Sequence, residues 1–179
     1  MTVRLLAIAA LLMPLAAFAA QAKNFSLGFG TYALVVAYDN NNYTNDELAG
    51  LSVSAGYAIT DKFGLRATYY TLDHNDIAAL DDTGYDLVGY IGGGLQSRGF
   101  KAYVGGGVFH ESWDYGGVSD SYGGLQISGG LGYNWDSLAL DLVGAVREPG
   151  DYEKALLRNT GQSVNAGTAS AALIFSARF

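Results

Sequence analysis

The feature that most constrains this chain is an alternation of apolar and polar residues that recurs along most of its length. In residues 51–60, LSVSAGYAIT, the odd positions are apolar and the even positions are small or polar. Successive side chains of a β-strand point to opposite faces, so this pattern predicts a strand with one apolar face. The same alternation recurs in residues 25–35, 125–134 and 165–179.

Extending this reading along the chain predicts eight antiparallel strands. They lie near residues 24–38, 49–60, 64–73, 84–96, 99–112, 123–135, 137–147 and 164–179. Three of the connections are predicted to be tight turns, at residues 60–63, 96–99 and 134–137. The other four are predicted to be long polar loops, at residues 39–48, 74–83, 113–122 and 148–163. An even number of strands with alternating short and long connections is typical of an up-and-down barrel that crosses a membrane.

The N-terminal segment has a different character. Arg4 precedes an apolar run from Leu5 to Phe18, which Pro14 interrupts, and small residues follow. This pattern predicts a signal peptide over residues 1–22, with cleavage after Ala19 or Ala22, and leaves residues 23–179 for the barrel. A retained membrane anchor is disfavoured, because the run is shorter than the roughly 20 residues that a spanning helix needs.

Composition excludes several classes of protein. The chain has 17 acidic and ten basic residues, a formal charge of −7, which argues against nucleic acid as a partner. It has no cysteine, so it has neither disulfides nor a thiol-based catalytic or metal site. His74 lies beside Asp73, Asn75 and Asp76, and we interpret this short polar stretch as solvated rather than as a metal site. No cofactor is predicted.

Which face of the barrel is apolar decides between a soluble and a membrane barrel, because a soluble barrel turns its apolar face inward. Here the polar face carries glycines, small polar residues and a few charges, which suit a filled lumen better than a soluble core. With this pattern the chain resembles the small eight-stranded outer-membrane barrels of Gram-negative bacteria, of the OmpA transmembrane-domain, OmpX and Ail type. The resemblance implies an all-β transmembrane barrel in the outer membrane, surrounded by membrane lipids and lipopolysaccharide.

The last strand carries the most specific mark of that resemblance. It ends in ALIFSARF, with apolar residues at alternate positions and an aromatic residue at the end. In the family, such a strand implies an assembly signal that the barrel-assembly machinery reads. We therefore predict that Phe175 and Phe179 belong to this signal. The alternative is that Phe179 is simply a lipid-facing residue at the rim.

Charged residues on the polar face are predicted to form two clusters inside the barrel. Near the tight turns the alternation brings together Arg66, Lys101, Arg178 and Asp141. Near the long loops it brings together Asp86, Glu111 and Arg147. Because buried charges persist only when they are paired, we interpret both clusters as a plug of salt bridges rather than as a conduction path, which disfavours a narrow porin.

Glycine and aromatic residues also follow the alternation. Gly89, Gly93, Gly106 and Gly129 are predicted to face lipid, where they would form a shallow groove, and glycines on the other face make room for large inward rings. Aromatic residues at the strand ends are expected to form belts at the two membrane surfaces. Near the tight turns these are Phe25, Phe63, Phe100, Tyr133, Trp135 and Phe179. Near the long loops they are Tyr38, Tyr43, Trp113, Tyr115 and Tyr122.

One spacing suggests catalysis. His110 and Ser112 lie two residues apart on the outward face of the fifth strand, as in the lipid A deacylases that share this barrel architecture. The resemblance stops at this pair, because Trp113 follows it and no outward carboxylate on the sixth strand can orient His110. We therefore predict no catalytic residues and keep a lipid A hydrolase as the alternative.

The first three predicted loops contain eight acidic residues and no basic residue. Such a surface favours divalent cations that bridge to lipopolysaccharide phosphates, or a basic extracellular protein, over heparin-like ligands. The sequence therefore predicts a non-enzymatic barrel with a plugged lumen that serves envelope integrity or surface interaction. Transport of small solutes, with lateral exit through the glycine-rich wall, is a second alternative.

Overall fold

The computed structural model describes residues 23–40, 42–77 and 80–179, so the predicted signal peptide lies outside the described residues. Within them the order of elements is β1 (Phe25–Tyr38), β2 (Asp46–Ala58), β3 (Phe63–His74), β4 (Leu80–Gly93), β5 (Gly99–Tyr115), β6 (Val118–Asn134), β7 (Leu138–Arg147), α1 (Gly150–Thr160) and β8 (Ala166–Arg178). Neighbouring strands are antiparallel, and β1 also pairs with β8, which closes the sheet. The predicted eight-stranded up-and-down barrel is confirmed. Among the described residues, no helix combines the length and apolar character needed to cross a membrane.

The barrel has an apolar outside, as the alternation predicts, and an inside that combines polar and charged side chains with a cluster of buried apolar ones. On the outer face the large apolar side chains are exposed, for example Leu51 at 67% and Ile127 at 75% of their surface. On the inner face Thr68, Gln126 and Arg147 are buried. A barrel with this distribution is stable only where lipid covers its outer wall, because so large an apolar surface in contact with water is strongly unfavourable.

The end of the barrel that carries the three short turns is called the lower rim here. It also contains Phe25 and Arg178, the first residue of β1 and the last of β8. Asp61 ties two of its turns together: its carboxylate accepts hydrogen bonds from the Ser97 hydroxyl at 2.8 Å and from the Ser97 and Gln96 amides at 2.9 and 3.0 Å.

At the opposite end, the upper rim, the prediction of four long loops is wrong in two places. Residues 113–122 are not a loop, because β5 and β6 continue outward to a two-residue turn at Gly116 and Gly117, both with positive φ. Glycine adopts this backbone conformation without the steric cost that a Cβ imposes, so the hairpin extends beyond the predicted strand ends.

The second difference is helix α1, which interrupts the predicted loop 148–163. It begins after Pro149 and ends at Gly161, whose φ of 73° is the left-handed conformation that closes many helices. Its Tyr152 and Ala155 are buried in the mouth of the barrel, and the other face of the helix points away from the barrel. The helix therefore covers the upper mouth.

Candidate functional site

Arg147 forms the centre of an ionic cluster in the upper half of the lumen. Its guanidinium, fully buried, donates to Asp86 Oδ1 through Nη2 and to Glu111 Oε2 through Nη1, each at 2.7 Å. The same group lies 4.7 Å from the ring centre of Phe109, within the range of a cation–π contact. This upper cluster joins side chains of β4, β5 and β7 across the lumen.

Glu111 makes the largest number of polar contacts in the upper cluster. Besides Arg147, its carboxylate accepts hydrogen bonds from Tyr70 at 2.9 Å, from the Trp113 indole at 2.9 Å and from Tyr152 of the covering helix at 2.6 Å. Burial raises the pKa of the Tyr152 hydroxyl, which therefore remains a donor at all physiological pH values. Glu111 thus connects the lumen cluster to helix α1.

A second cluster lies in the lower half of the lumen around Asp141. Its carboxylate accepts from Lys101 Nζ at 2.8 Å and from the Tyr103 hydroxyl at 2.8 Å, and it lies 3.4 Å from Nη2 of Arg66. Two cations thus face one carboxylate. Tyr103 also accepts from Arg66 Nη1 at 2.9 Å, so the lower cluster is continuous across the lumen.

Arg178, which is predicted to belong to this lower cluster, forms no ion pair with Asp141. Its guanidinium donates to the main-chain carbonyls of Gln96 at 2.7 Å and Trp135 at 2.9 Å instead. Asp141 is level with Ile174 on β8, so Arg178 lies four residues closer to the lower rim. Four residues of strand span roughly 13 Å, and Arg178 therefore fastens the turns at the rim.

His110 and Ser112 lie on the outer wall, as predicted, but they do not form a catalytic arrangement. The His110 ring packs against Tyr85, with 5.6 Å between the ring centres, and Ser112 Oγ lies 2.8 Å from Ser119 Oγ. Within the described part of the chain, no hydrogen bond joins His110 to Ser112 or to a carboxylate. Without that contact the serine has no general base.

His74, the other histidine, has a structural role at the end of β3. Its Nδ1 accepts the backbone amides of Asp76 and Ile77, each at 3.1 Å, and its Nε2 lies 3.3 Å from Asp46 Oδ1. No group of three or more His, Asp or Glu side chains among the described residues is arranged to hold a metal ion.

The glycines lie on the two faces that the alternation predicts. Inside, the Tyr103 ring packs against the backbone of Gly130, where a Cβ would collide with it. Outside, a Cβ on Gly93 would meet nothing within 4 Å among the described residues, and one on Gly106 would meet its first neighbour at 3.6 Å. The outer glycines therefore leave a shallow depression in the lipid-facing wall of β4, β5 and β6.

The outer faces of β3, β4 and β5 carry side chains in registered rows. One row is aromatic and contains Tyr69, Tyr85 and His110. The row above it contains Thr71, Thr83 and Ser112, and the highest row consists of three exposed aspartates, Asp73, Asp81 and Asp114. Directly opposite like charges destabilise a sheet, so three aligned carboxylates have an unfavourable arrangement unless cations neutralise them. This aspartate row is the feature that the sequence reading missed, because it placed Asp81 and Asp114 in loops.

The upper aromatic belt also differs from the prediction. Trp113 and Tyr122 point into the barrel mouth, where both are buried, and Tyr69 and Tyr85 stand on the lipid-facing side instead. The lower belt includes Phe100, which is exposed over 87% of its surface, with Tyr133 packed against it. The aspartate row lies two pleats above Tyr69 and Tyr85, about 14 Å along the strands.

A family model described as "Outer membrane protein beta-barrel domain" matches residues 5–173. The chain belongs to this family. It is therefore a protein of the bacterial outer membrane, in which short turns face the periplasm and the longer connections face the outside. The lower rim is the periplasmic rim, and the upper rim is the extracellular one.

Solved structures agree on the fold. Ail of Yersinia pestis has a TM-score of 0.60 at 15% identity, with 89% of this chain and 100% of that chain covered. Neisserial surface protein A has a TM-score of 0.59 at 17% identity, with coverages of 87% and 97%. The N-terminal barrel of Pseudomonas aeruginosa OprF has a TM-score of 0.53 at 18% identity, with coverages of 89% and 100%. No curated protein sequence matches the chain.

Proposed function

We propose that this protein is a non-enzymatic outer-membrane barrel with a sealed lumen, and that its acidic extracellular rim serves envelope integrity. The observation that carries the proposal is the registered row of Asp73, Asp81 and Asp114 above the aromatic row on the outer wall. Side chains at this height face the headgroups of the outer leaflet, where lipopolysaccharide carries its phosphates.

Divalent cations connect the aspartate row to those phosphates. Ca²⁺ and Mg²⁺ prefer oxygen ligands, and both accept a mixture of carboxylate, phosphate and water. The described residues hold no self-contained metal site, so the lipid and the solvent supply the remaining ligands of such a cation. The barrel then acts as an anchor for neighbouring lipopolysaccharide molecules.

The chemistry of the loops supports a cationic rather than an anionic partner. Ail of Yersinia pestis has been solved in complex with the heparin analogue sucrose octasulfate. In the present chain a polysulfated ligand would meet the aspartate row together with Asp76. Electrostatic repulsion opposes such a complex, so any extracellular protein ligand presents a basic surface.

The arrangement around His110 argues against the hydrolase alternative. A serine hydrolase needs a base within hydrogen-bonding reach of its nucleophile and a group that orients the base. Ser112 pairs with Ser119, and His110 packs against Tyr85. The two ionic clusters likewise argue against solute transport through the lumen, because each of them crosses it.

The cation bridge is tested with the barrel reconstituted in vesicles that contain lipopolysaccharide. We expect Mg²⁺ to raise the midpoint of thermal unfolding and EDTA to reverse the rise, because the ion binds only the folded rim. The triple variant D73N/D81N/D114N should lose this response. Vesicles of phosphatidylcholine alone and K⁺ at matched ionic strength are the controls. An unchanged Mg²⁺ response in the triple variant would contradict the proposal.

A further inference from the structure

The extracellular mouth contains a slot walled by aromatic rings. Phe109, Trp113 and Tyr122, all buried, form the aromatic slot. Tyr152 of helix α1 occupies it: its ring lies parallel to that of Tyr122 at 4.6 Å and to that of Phe109 at 6.3 Å between ring centres. Trp113 closes one side, with its ring centre 5.9 Å from that of Tyr152.

Beside the slot lies a buried carboxyl group whose oxygens have no hydrogen-bond partner among the described residues. Asp82 points inward from β4, level with Trp113 on β5, and has no exposed surface. The backbone amide of Ser112 approaches this group, but neither oxygen has a hydrogen-bond partner of good geometry among the described residues. An ionised carboxylate that is buried without partners is strongly unfavourable.

The two neighbouring carboxylates, Glu111 and Asp86, do not supply the missing partner. Both oxygens of Glu111 already accept two hydrogen bonds each, and the two oxygens of Asp86 accept from Arg147 and Tyr32. Among the described residues, Arg147 is the cation that pairs with Glu111 and Asp86, and its Nε has no hydrogen-bond partner. Three buried carboxyl groups in this region therefore face one guanidinium. On electrostatic grounds, a further positive charge in the mouth is therefore favourable.

The surroundings of Asp82 define the kind of cation. A metal ion needs several oxygen ligands, and the described residues provide no such group of carboxylates. Aromatic faces attract organic cations, and a carboxylate without hydrogen bonds needs N–H donors. A primary alkylammonium group supplies the charge, three donors and an apolar stem that fits between aromatic rings.

Helix α1 is built so that it can leave the slot. Strand β7 ends at Arg147, level with Gln126, so the upper part of β6 has no β7 partner and the helix covers this gap. Two of its side chains, Tyr152 and Ala155, are buried. The ion pair that connects the helix to β6, Arg158 with Asp120, is exposed, and exposed pairs contribute little stability. The other polar links to the barrel are the Tyr152 hydrogen bond to Glu111 and the bonds that Asp151 and Glu153 accept from backbone amides.

We propose that the extracellular mouth is a binding site for a primary alkylammonium group, such as the side chain of a lysine residue. Asp82 is its counter-ion, the aromatic slot surrounds its stem, and Tyr152 is the lid that the ligand displaces. This site lies inside the mouth and is separate from the aspartate row on the outer wall.

The test follows the fluorescence of Trp113 in the background W135F, which removes the other tryptophan at the periplasmic rim. The probe is n-butylammonium, which matches a lysine side chain. Butan-1-ol, which lacks the charge, and tetramethylammonium, which lacks N–H donors, are the comparison ligands. We expect saturable binding of n-butylammonium to Y152A, at least about tenfold tighter than to the protein with Tyr152, because the lid no longer competes.

The substitution D82N in the Y152A background should abolish binding of n-butylammonium. The matched control D39N removes the charge of an exposed carboxylate just after β1, at the same end of the barrel, and should leave binding unchanged. Equal binding to the D82N variant, or an equal response to butan-1-ol, would overturn the proposal, and so would the absence of any saturable change. Equal affinity for tetramethylammonium would show that Asp82 acts through its charge alone and not as a hydrogen-bond acceptor. That result would also contradict the proposal as stated.

Folding of each variant is checked by the mobility of unheated samples on gels. If Y152A does not fold, the same titrations are made on the protein with Tyr152. In that protein the three ligands should have the same order of affinities and D82N the same effect, although binding should require higher ligand concentrations. A different order would contradict the proposal equally well.

Discussion

At the scale of single residues, the two ionic clusters differ in how much depends on one side chain. In the lower cluster, Arg66 and Lys101 share Asp141, so either cation can be lost while the other remains. In the upper cluster, Arg147 is the one cation among the described residues that faces Asp86 and Glu111. Removing one member of a buried pair costs stability mainly through the charge that is left behind.

We therefore predict that R147A destabilises the barrel much more than R66A does. The expected loss for R147A is about 3–5 kcal/mol, because it leaves two buried carboxylates without a cation. Urea unfolding in lipid vesicles, followed by tryptophan fluorescence, measures both variants. A loss for R147A no larger than that for R66A would show that Arg147 is not the centre of the cluster.

Asp61 at the periplasmic rim makes stability depend on pH. The hydrogen bond from the Ser97 hydroxyl, assisted by the backbone amides of the same turn, lowers the pKa of this carboxyl. A carboxyl whose pKa is lower in the folded state stabilises the fold above its unfolded pKa of about 4. This stabilisation is lost as the pH falls through the folded value.

We accordingly expect D61N to reduce the free energy of unfolding at pH 7 by about 1 kcal/mol, below the usual contribution of hydrogen bonds to a charged group because solvent screens this exposed carboxylate. The difference from the unmodified protein should shrink below pH 4. Urea titrations at a series of pH values measure it, with D136N in the exposed third turn as the control. A difference that does not change with pH would exclude the charge of Asp61 as the cause.

At the scale of elements, the strands were predictable because a period of two leaves only one way to divide side chains between lipid and lumen. The alternation correctly places five charged residues in the two lumen clusters: Arg66 and Lys101 in the lower one, and Asp86, Glu111 and Arg147 in the upper one. Contacts between residues at different heights along the barrel axis were harder to predict. The alternation shows which face a side chain occupies, but not its position along the axis. Arg178 therefore has the expected face, yet it lies too low to reach Asp141.

The extracellular connections were predicted least well, although the chain carries the relevant signals. Gly116 and Gly117 between two β-prone segments indicate a tight hairpin, and Pro149 and Gly161 bracket a helix of ordinary length. Both segments are also strongly polar, and this polarity led to the prediction of loops. Burial of Trp113 and Tyr122 depends on Tyr152 of that helix, so their position could not be inferred without it.

The last strand allows a prediction about assembly. We propose that its terminal aromatic residue is read by the barrel-assembly machinery, so F179A should reduce the amount of folded barrel in cells. F100A removes an outward aromatic residue from the same rim and should have a smaller effect. Both variants should refold into lipid vesicles at similar rates in the absence of the machinery. An equal loss in cells for F179A and F100A would reduce Phe179 to an ordinary lipid-facing residue.

At the scale of the whole molecule, the barrel has a closed lumen and an outer surface that is available for contact with other molecules. The upper and lower clusters each cross the lumen, and helix α1 covers its extracellular end. The groups that are left for contact with other molecules lie on the outer wall and in the mouth. This division supports the proposal that the protein acts through its surface rather than through a channel.

The most direct test of this account is the electrical conductance of the refolded barrel in planar lipid bilayers, with gel mobility of heated and unheated samples to establish folding. The account predicts that the folded protein gives no steady channels, because buried ion pairs fill the lumen at two levels. Steady open channels from folded protein would contradict the sealed lumen and assign the inward charges to ion selectivity.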